Sequence, residues 1–408
     1  MLHFIRRTYH FLLAFLGNII YGFPSKRLIV IGVTGTKGKS TAVEILRAIF
    51  EAAGKKTAAL SSLHMQIGES VRDNPTENTM PGRFMIQKFL RDAVRDRCTV
   101  AILEVTSQGA LQYRHRFIHF DCGVFLNLHP EHIEAHGSYE KYRDAKVRFF
   151  RDIATRSKKI AKHFILNQHD GERDTFLRAV HGLGEVHYFS GEQLLRQLPQ
   201  RALKENEWLA RPFNADDASA AARVAEVFGI PQGIIYPAIL AFKGVPGRME
   251  VIQEKPFRVI VDYAHTPDAL HAVYENLNPD GKKKMICVLG SAGGGRDVWK
   301  RPAFGKIAGA YCSTIIATNE DPYDEPPMAI IESIAQGYVP EGGKKVETLK
   351  IVDRGEAIRH AITIAKRGST VIITGKGSER WIHGPKGEKT AWSDKETVLS
   401  ALNETREE

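Results

Sequence analysis

The sequence predicts an α/β protein in two main parts: a central P-loop domain on a mostly parallel sheet, and a C-terminal Rossmann-like α/β domain. Three observations predict this. Residues 28–50 pass from an apolar run through a glycine-rich turn into helical spacing. Residues 258–374 alternate short apolar runs with helical patterns. A chain of 408 residues is too long for a single hydrophobic core.

In chain order, residues 1–27 stand apart. Arg6 and Arg7 precede an apolar run from Phe11 to Ile20, and Pro24 ends it. No small-residue cleavage site follows, and Gly17 and Asn18 interrupt a run already short for a membrane span. Two readings stay open: an apolar helix packed on the next domain, or a basic amphipathic helix in peripheral contact with a membrane through residues 1–23.

The next stretch, LIVIGVTGTKGKSTAVEILRAIF, reads as strand, loop and helix. Gly35, Thr36, Lys37, Gly38, Lys39, Ser40 and Thr41 form the loop and helix start. Such a loop aims several backbone N–H groups at one anion, and the helix N-terminus adds partial positive charge. Lys39 is placed to neutralise a β- or γ-phosphate, and Ser40 to offer its hydroxyl to Mg²⁺. The spacing is GxxGxxGKS, with Val33 where the strict phosphate-loop pattern has glycine.

Lys56–Ser61 reads as a second strand, residues 64–83 as irregular, and Phe84–Val94 as a helix. The apolar run Cys98–Val105 predicts a strand with Glu104 near its C-terminal end, where open α/β sheets bind ligands. Glu104 is there either a Mg²⁺ ligand or a solvated strand-end carboxylate. After a strand at Cys122–Leu128 come His129, His132 and His136. His132 and His136 have the i, i+4 spacing of a zinc pair, but surface histidines read equally well. By spacing alone Lys146, on a helix of mixed charge, is a surface lysine.

Strands follow at His163–Asn167 and Val186–Phe189, then an Ala-rich helix after Phe213-Asn214 and a helix over Ile230–Lys243. The turn residues Gly244–Arg248 mark a boundary. The domains are therefore 1–27, 28–245 and 246–408. Beyond the boundary, strands are expected at Arg258–Tyr263, Lys284–Gly290, Thr314–Thr318 and Thr370–Thr374. Helices are expected at Asp268–Leu277, Pro302–Tyr311, Pro327–Gln336 and Gly355–Ala365. GSAGGGRD at 290–297 fits a nicotinamide-dinucleotide fingerprint poorly.

Composition is that of a globular protein, with a net charge of +10 that suits polyanionic ligands or an anionic membrane surface. No nucleic-acid-binding motif is present. The four cysteines make no CxxC, and free thiols in a reducing compartment are expected.

Taken together, the motifs resemble the Mur ligase family of ATP-dependent, amide-forming enzymes of peptidoglycan synthesis, nearest its tripeptide-synthetase type. GVTGTKGKST, EVTSQGALQYR, NLHPEHIEAHGSYEKYRDAK, FNADDASAA, GVPGRME, DYAHTPDAL, GGGRDVWKRP and GKGSE occur in the family's order. The resemblance implies a P-loop ATPase domain, with ATP and Mg²⁺ as cofactors. It implies Ser40, Glu104 and His132 as Mg²⁺ ligands, with Lys39 catalytic and Lys146 carbamylated. Asn214, Arg248, Asp262 and His265 would join the loop in binding ATP. Thr79, Thr106, Gln112 and Arg114 would contact the UDP-sugar peptide. Arg296, Tyr323, Gly375 and Glu379 would contact the amino acid. The implied reaction runs through an acyl phosphate that an amine attacks, with closure of the C-terminal domain. The implied protein is a cytoplasmic monomer acting on a UDP-muramyl peptide and an amino acid, without nucleic acid.

The chain also departs from the pattern. Only residues 1–27 precede the loop, where the family carries a UDP-binding domain of about a hundred residues. Lys37 and Asp217 stand where asparagine is usual, and Gln108 and Ser378 where histidine is. Tyr323, within TNEDPYDE, stands at the arginine of diaminopimelate-adding enzymes. Two alternatives remain: a folyl- or other polyglutamate ligase of the same mechanism, or a membrane-associated nucleotide-binding regulator without turnover.

Overall fold

A computed structural model describes residues 2–72, 79–131, 136–295, 297–338 and 346–407, with side chains from residue 8 to 405. The chain divides into two compact units, Met1–Lys243 and Gly244–Glu408.

The first unit is built on eight strands: β1 (Ile29–Thr34), β2 (Thr57–Leu60), β3 (Met65–Ile67), β4 (Ser70–Arg72), β5 (Val100–Glu104), β6 (Cys122–Phe125), β7 (His163–Asn167) and β8 (Glu185–Phe189). Their order across the sheet is β4-β3-β2-β5-β1-β6-β7-β8. The run from β2 to β8 is parallel throughout. Strands buried on both faces need apolar residues at every position, and this is why β1 and β5 read as unbroken apolar runs. In β1, Ile31 and Val33 pack on the face covered by helices Lys39–Ala52, Pro212–Val227 and Gln232–Ala241. Val30 packs on the other, against helices Arg83–Arg95 and Tyr139–Arg156. Gly32 points the same way as Val30, where a Cβ would lie 2.4 Å from the Phe149 ring, so only glycine fits.

The N-terminal helix, Leu2–Ile20, packs on the helix Arg83–Arg95 with Ala14 and Asn18 buried. Its other face stays apolar and open: Tyr9, Leu12, Phe15, Leu16, Ile19 and Ile20 are exposed. No helix among the described residues is long and apolar enough to cross a membrane.

The second unit carries a six-stranded sheet in the order β13-β12-β11-β14-β10-β9. Its strands are β9 (Glu250–Gln253), β10 (Arg258–Val261), β11 (Met285–Leu289), β12 (Thr314–Ala317), β13 (Glu347–Lys350) and β14 (Thr370–Ile373). All pairings are parallel except that of β9 with β10. The expected α/β class, with a mostly parallel P-loop sheet and a Rossmann-like second sheet, is the fold observed.

Three expectations are corrected. Residues 65–72 are not irregular: β3 and β4 form an antiparallel hairpin at the sheet edge. Strands this short, one of them wholly exposed, leave no period-2 apolar signal. The four cysteines are not all free thiols, since Cys287 and Cys312 are disulfide-bonded. Cys287 lies in β11 and Cys312 just before its parallel neighbour β12, so residues far apart in sequence become adjacent. Cys98 and Cys122 are free and buried. Lys146, read from spacing as a surface lysine, is 2% exposed.

Candidate active site

The strands β2, β5, β1 and β6 are mutually parallel, so their C-terminal ends meet along one edge of the sheet. The phosphate loop leaves β1 there, Glu104 ends β5, Ser61-Ser62 follow β2, and Asn127 follows β6. This is where an open α/β sheet builds its ligand site.

Gly38 adopts a left-handed conformation, φ 78°, that favours glycine, and a Cβ there would strike the Asp217 carboxylate at 2.0 Å. Asn127 braces the loop: its Oδ1 accepts from the amides of Thr36 (3.1 Å) and Lys37 (2.9 Å). Lys39 Nζ donates to the Thr36 carbonyl at 2.8 Å and lies 3.8 Å from Glu104. Ser40 Oγ donates to Glu104 Oε2 at 2.9 Å. The same carboxylate oxygen accepts from the Ser62 amide at 3.0 Å, and Ser62 Oγ lies 2.8 Å from Ser40 Oγ. Thr41 is buried in the first turn of the helix. Serine and carboxylate oxygens so arranged suit a hard, oxygen-seeking divalent cation.

Lys146 reaches this place from the helix Tyr139–Arg156. Its Nζ donates to the Gly35 carbonyl at 2.7 Å and lies 4.9 Å from the Tyr142 ring centre. Burial, and then the nearby charge of Lys39, hold the amine well below the ordinary lysine range. His132 lies outside the described residues. His129 is exposed, and His136 is buried with Nε2 3.1 Å from Ser107 Oγ. Asn214 is buried, donating to the Trp208 carbonyl at 2.7 Å.

A second cluster continues from β5. Thr106 caps the helix Ser107–Leu111, accepting from Gly109 N. Gln112 ends that helix; its side-chain oxygen accepts from Arg114 at 2.9 Å and its carbonyl from Arg83. Arg114 also donates to the carbonyl of Met80, the residue after Thr79. Burial, and then Arg114, push the Arg83 guanidinium down to about 10. Two guanidiniums crowded in this way call for an anion. Thr79, Thr106, Gln112 and Arg114 are thus brought together, with Arg83 as a member that the sequence reading missed.

In the second unit, the Arg248 guanidinium carbon lies over the Tyr263 ring, 3.9 Å from its centre. Asp262 accepts from the amides of Met249 and Ala264, each at 2.7 Å. His265 Nδ1 lies 2.9 Å from the Tyr263 carbonyl, and the Tyr263 hydroxyl donates to Glu379 at 2.8 Å. Gly375, φ 111°, leaves room for Glu320: a Cβ there would be 2.4 Å from Glu320 Oε2. Tyr323 stacks on His383, centres 5.5 Å apart. Arg296 lies outside the described residues. Sequence reading also missed Lys376, fully buried and held by Asp321 and Glu379.

Residues 33–207 match the Mur ligase middle domain, and residues 247–377 match the domain described as Mur ligase, glutamate ligase domain. A UDP-N-acetylmuramoyl-L-alanyl-D-glutamate–2,6-diaminopimelate ligase of Syntrophomonas wolfei is 36% identical over 388 residues, covering 90% of this chain and 77% of that protein. The chain belongs to the Mur ligase family. A UDP-N-acetylmuramyl-tripeptide synthetase of a Roseiflexus species is 35% identical, again covering 90% of this chain and 77% of its relative. A solved diaminopimelate ligase of the same activity name superposes with a TM-score of 0.58 at 26% identity, covering 93% of this chain and 79% of that one. Mycobacterium tuberculosis folylpolyglutamate synthase, at 14% identity and a TM-score of 0.66, shares the fold, with 90% of this chain and 92% of that one covered. Mur ligases are ATP-dependent amide-forming enzymes of peptidoglycan synthesis, and this Mur ligase is an enzyme of that class.

Proposed function

We propose that this Mur ligase joins an amino acid to a UDP-N-acetylmuramoyl peptide through an acyl phosphate formed from ATP. The observation that carries the reading is the continuity of one segment. Glu104, at the phosphate loop, and Arg114, beside Arg83, lie ten residues apart on one strand–helix unit. A carboxylate for metal–nucleotide and a pair of cations for an anionic substrate are thereby fixed to each other. The curated relatives named above act on UDP-muramoyl peptides, and this supports the same substrate here.

In this reading the loop amides and Lys39 bind the ATP phosphates, with Asn214, Arg248, Asp262 and His265 toward the rest of the nucleotide. Ser40 and Glu104, with His132, would hold Mg²⁺, which neutralises phosphate charge when bound. The γ-phosphoryl group passes to the peptide carboxylate and ADP leaves; the incoming amine then displaces phosphate from the acyl carbon. Lys146, a buried amine held toward its neutral form, reacts with CO₂ to give a carbamate and release a proton. This turns a neutral amine into an anion that would sit beside the metal.

The domains are read as 1–27, 28–245 and 246–408, and the enzyme as a cytoplasmic monomer. The open apolar face of the first helix, flanked by exposed Lys26 and Arg27, supports peripheral contact with an anionic membrane. The enzyme should co-sediment with anionic vesicles; if Leu12→Ser/Leu16→Ser sediments equally, the helix is not the contact.

For the amino acid, Arg296, Tyr323, Gly375 and Glu379 are read as the pocket. A distal carboxylate needs a cation, and Tyr323 offers a ring already stacked on His383. Lys300 and Arg301, in the helix Lys300–Tyr311, and Lys376 are each ion-paired, with Asp297, Glu325 and Asp321, which leaves Arg296 as the cation that would compensate. Without the arginine, meso-diaminopimelate loses a charge-assisted contact worth roughly ten- to a hundredfold in affinity, which favours a smaller or cationic amino acid such as L-lysine. The test offers UDP-MurNAc-L-Ala-D-Glu, ATP and equal L-lysine and meso-diaminopimelate, and reads product mass. No amide product at all sinks the ligase reading. A diaminopimelate product that Tyr323→Arg does not increase sinks the selector role of Tyr323.

A further inference from the structure

The sheet of the first unit has a second cluster of ligating side chains, at the end opposite the phosphate loop. His163 opens β7, and Glu185 opens β8. The strands are parallel, with His163 opposite Glu185 and Ile165 opposite His187. Alternation along β8 puts Glu185 and His187 on one face, and the register puts His163 on that face too. Their ligand atoms all lie within 4.8 Å of one another. His163 Nδ1 is 3.4 Å, and His187 Nε2 3.7 Å, from the same oxygen of Glu185.

These distances are too long for a hydrogen bond from either nitrogen. His163 Nδ1 and His187 Nε2 are buried and make no hydrogen bond. A buried polar atom without a partner is costly, and two facing one carboxylate call for something between them. Among the described residues, the neighbouring groups are otherwise engaged. The Phe228 ring stands edge-on to His163, centres 5.7 Å apart. Arg223, behind His187, is engaged by the Tyr188 carbonyl and Glu226. Asp121, near His163, is held by the Val30 amide and Lys159.

We propose that His163, Glu185 and His187 form a zinc site, in which a water completes a tetrahedral shell. Ligand bonds of about 2.0–2.1 Å put tetrahedral ligand atoms about 3.3 Å apart, close to the two shorter separations here. Glu185 is 69% exposed, so the fourth position faces solvent. Two imidazoles with one carboxylate suit zinc or cobalt, whereas Mg²⁺ prefers a set dominated by oxygens, such as the hydroxyl and carboxylate of Ser40 and Glu104. The two metals therefore sort by ligand chemistry to opposite ends of one sheet. Because β8 is the outermost strand, the ion also ties the sheet edge to β7.

The test is equilibrium dialysis of the full chain against Zn²⁺ alone, with Co²⁺ in a parallel sample. The expected result is one high-affinity Zn²⁺ per chain and the visible absorption band of tetrahedral Co²⁺. Zn²⁺ should raise the melting temperature. His163→Gln/His187→Gln should weaken binding at least roughly tenfold and abolish the band. Glu185→Gln, at an exposed position, keeps the fold and should weaken binding in the same direction. His129→Gln should leave stoichiometry and band unchanged. Retention of the tight ion and the band in the double variant or in Glu185→Gln, their loss in His129→Gln, or failure of the wild type to bind overturns the site. Product formation by the ligase assay is read separately, so neither result stands for the other.

Discussion

Lys146 in the first unit and Lys376 in the second are both buried, 2% and 0% exposed, yet burial has opposite outcomes for them. Lys376 meets Asp321 at 2.9 and 3.0 Å and Glu379 at 2.6 Å. Burial alone would lower its pKa, but Glu379 and Asp321 outweigh it and hold the ammonium above the ordinary range. Lys146 meets a carbonyl and a ring face, with Lys39 nearby, and its pKa falls. The difference teaches that depth does not set a lysine's charge; the partners do. With carboxylates an amine becomes a strut. Where burial and a second lysine outweigh more distant carboxylates, as Glu131 and Glu104 are for Lys146, the amine is held toward its neutral form.

The contrast can be broken most forcefully at the strut. Lys376→Met leaves Asp321 and Glu379 without their cation and should cost about 3–5 kcal/mol of unfolding free energy. Urea denaturation giving a loss below about 1 kcal/mol would mean that the carboxylates do not depend on it.

At the reactive amine the effect should appear in turnover. Lys146→Ala is expected to lose at least roughly a hundred- to a thousandfold in kcat, as when a stabilising charge is removed from an active site. Added acetate or formate should restore part of the rate. Without ¹³CO₂ the wild type should lack the carbamate carbon signal that it gains with it. A variant within tenfold of wild type returns Lys146 to a packing role.

A subtler test concerns Glu320, buried beside Lys376. Burial raises its carboxyl from 4.5 to about 7, against the pull of Lys376 and Arg354. The folded state then holds its proton more tightly than the unfolded chain does. Its contribution is complete below pH 4.5 and is lost as pH rises through about 7. The full change is at most about 3 kcal/mol. Glu320→Gln should flatten thermal stability across that window; an unchanged profile would show that Glu320 is not the titrating group.

What the sequence disclosed follows the range of the interactions. The phosphate loop was legible because strand, glycines, Lys39 and Ser40 are contiguous. Spacing alone placed Glu104 at a strand end; its pairing with Ser40 came only from the family resemblance, because β5 and β1 become neighbours only in the sheet. Lys146 was illegible from its own helix, since its partner is the carbonyl of Gly35, far away in the chain. Ser62 and Arg83 carry no local signal at all: each acts through a bond to a distant segment. The Cys287–Cys312 pair likewise depends on parallel neighbours that spacing does not reveal.

Asn127 gives the phosphate loop a kinetic character. Its side-chain oxygen occupies the amides of Thr36 and Lys37. An arriving phosphate that takes these donors must displace a tethered carbonyl oxygen rather than loose water. The stand-in keeps these two donors aligned in the unliganded loop. The ordering cost is met once, during folding, rather than at every nucleotide encounter. On the proposed reading, phosphate binding at these two amides exchanges one oxygen for another.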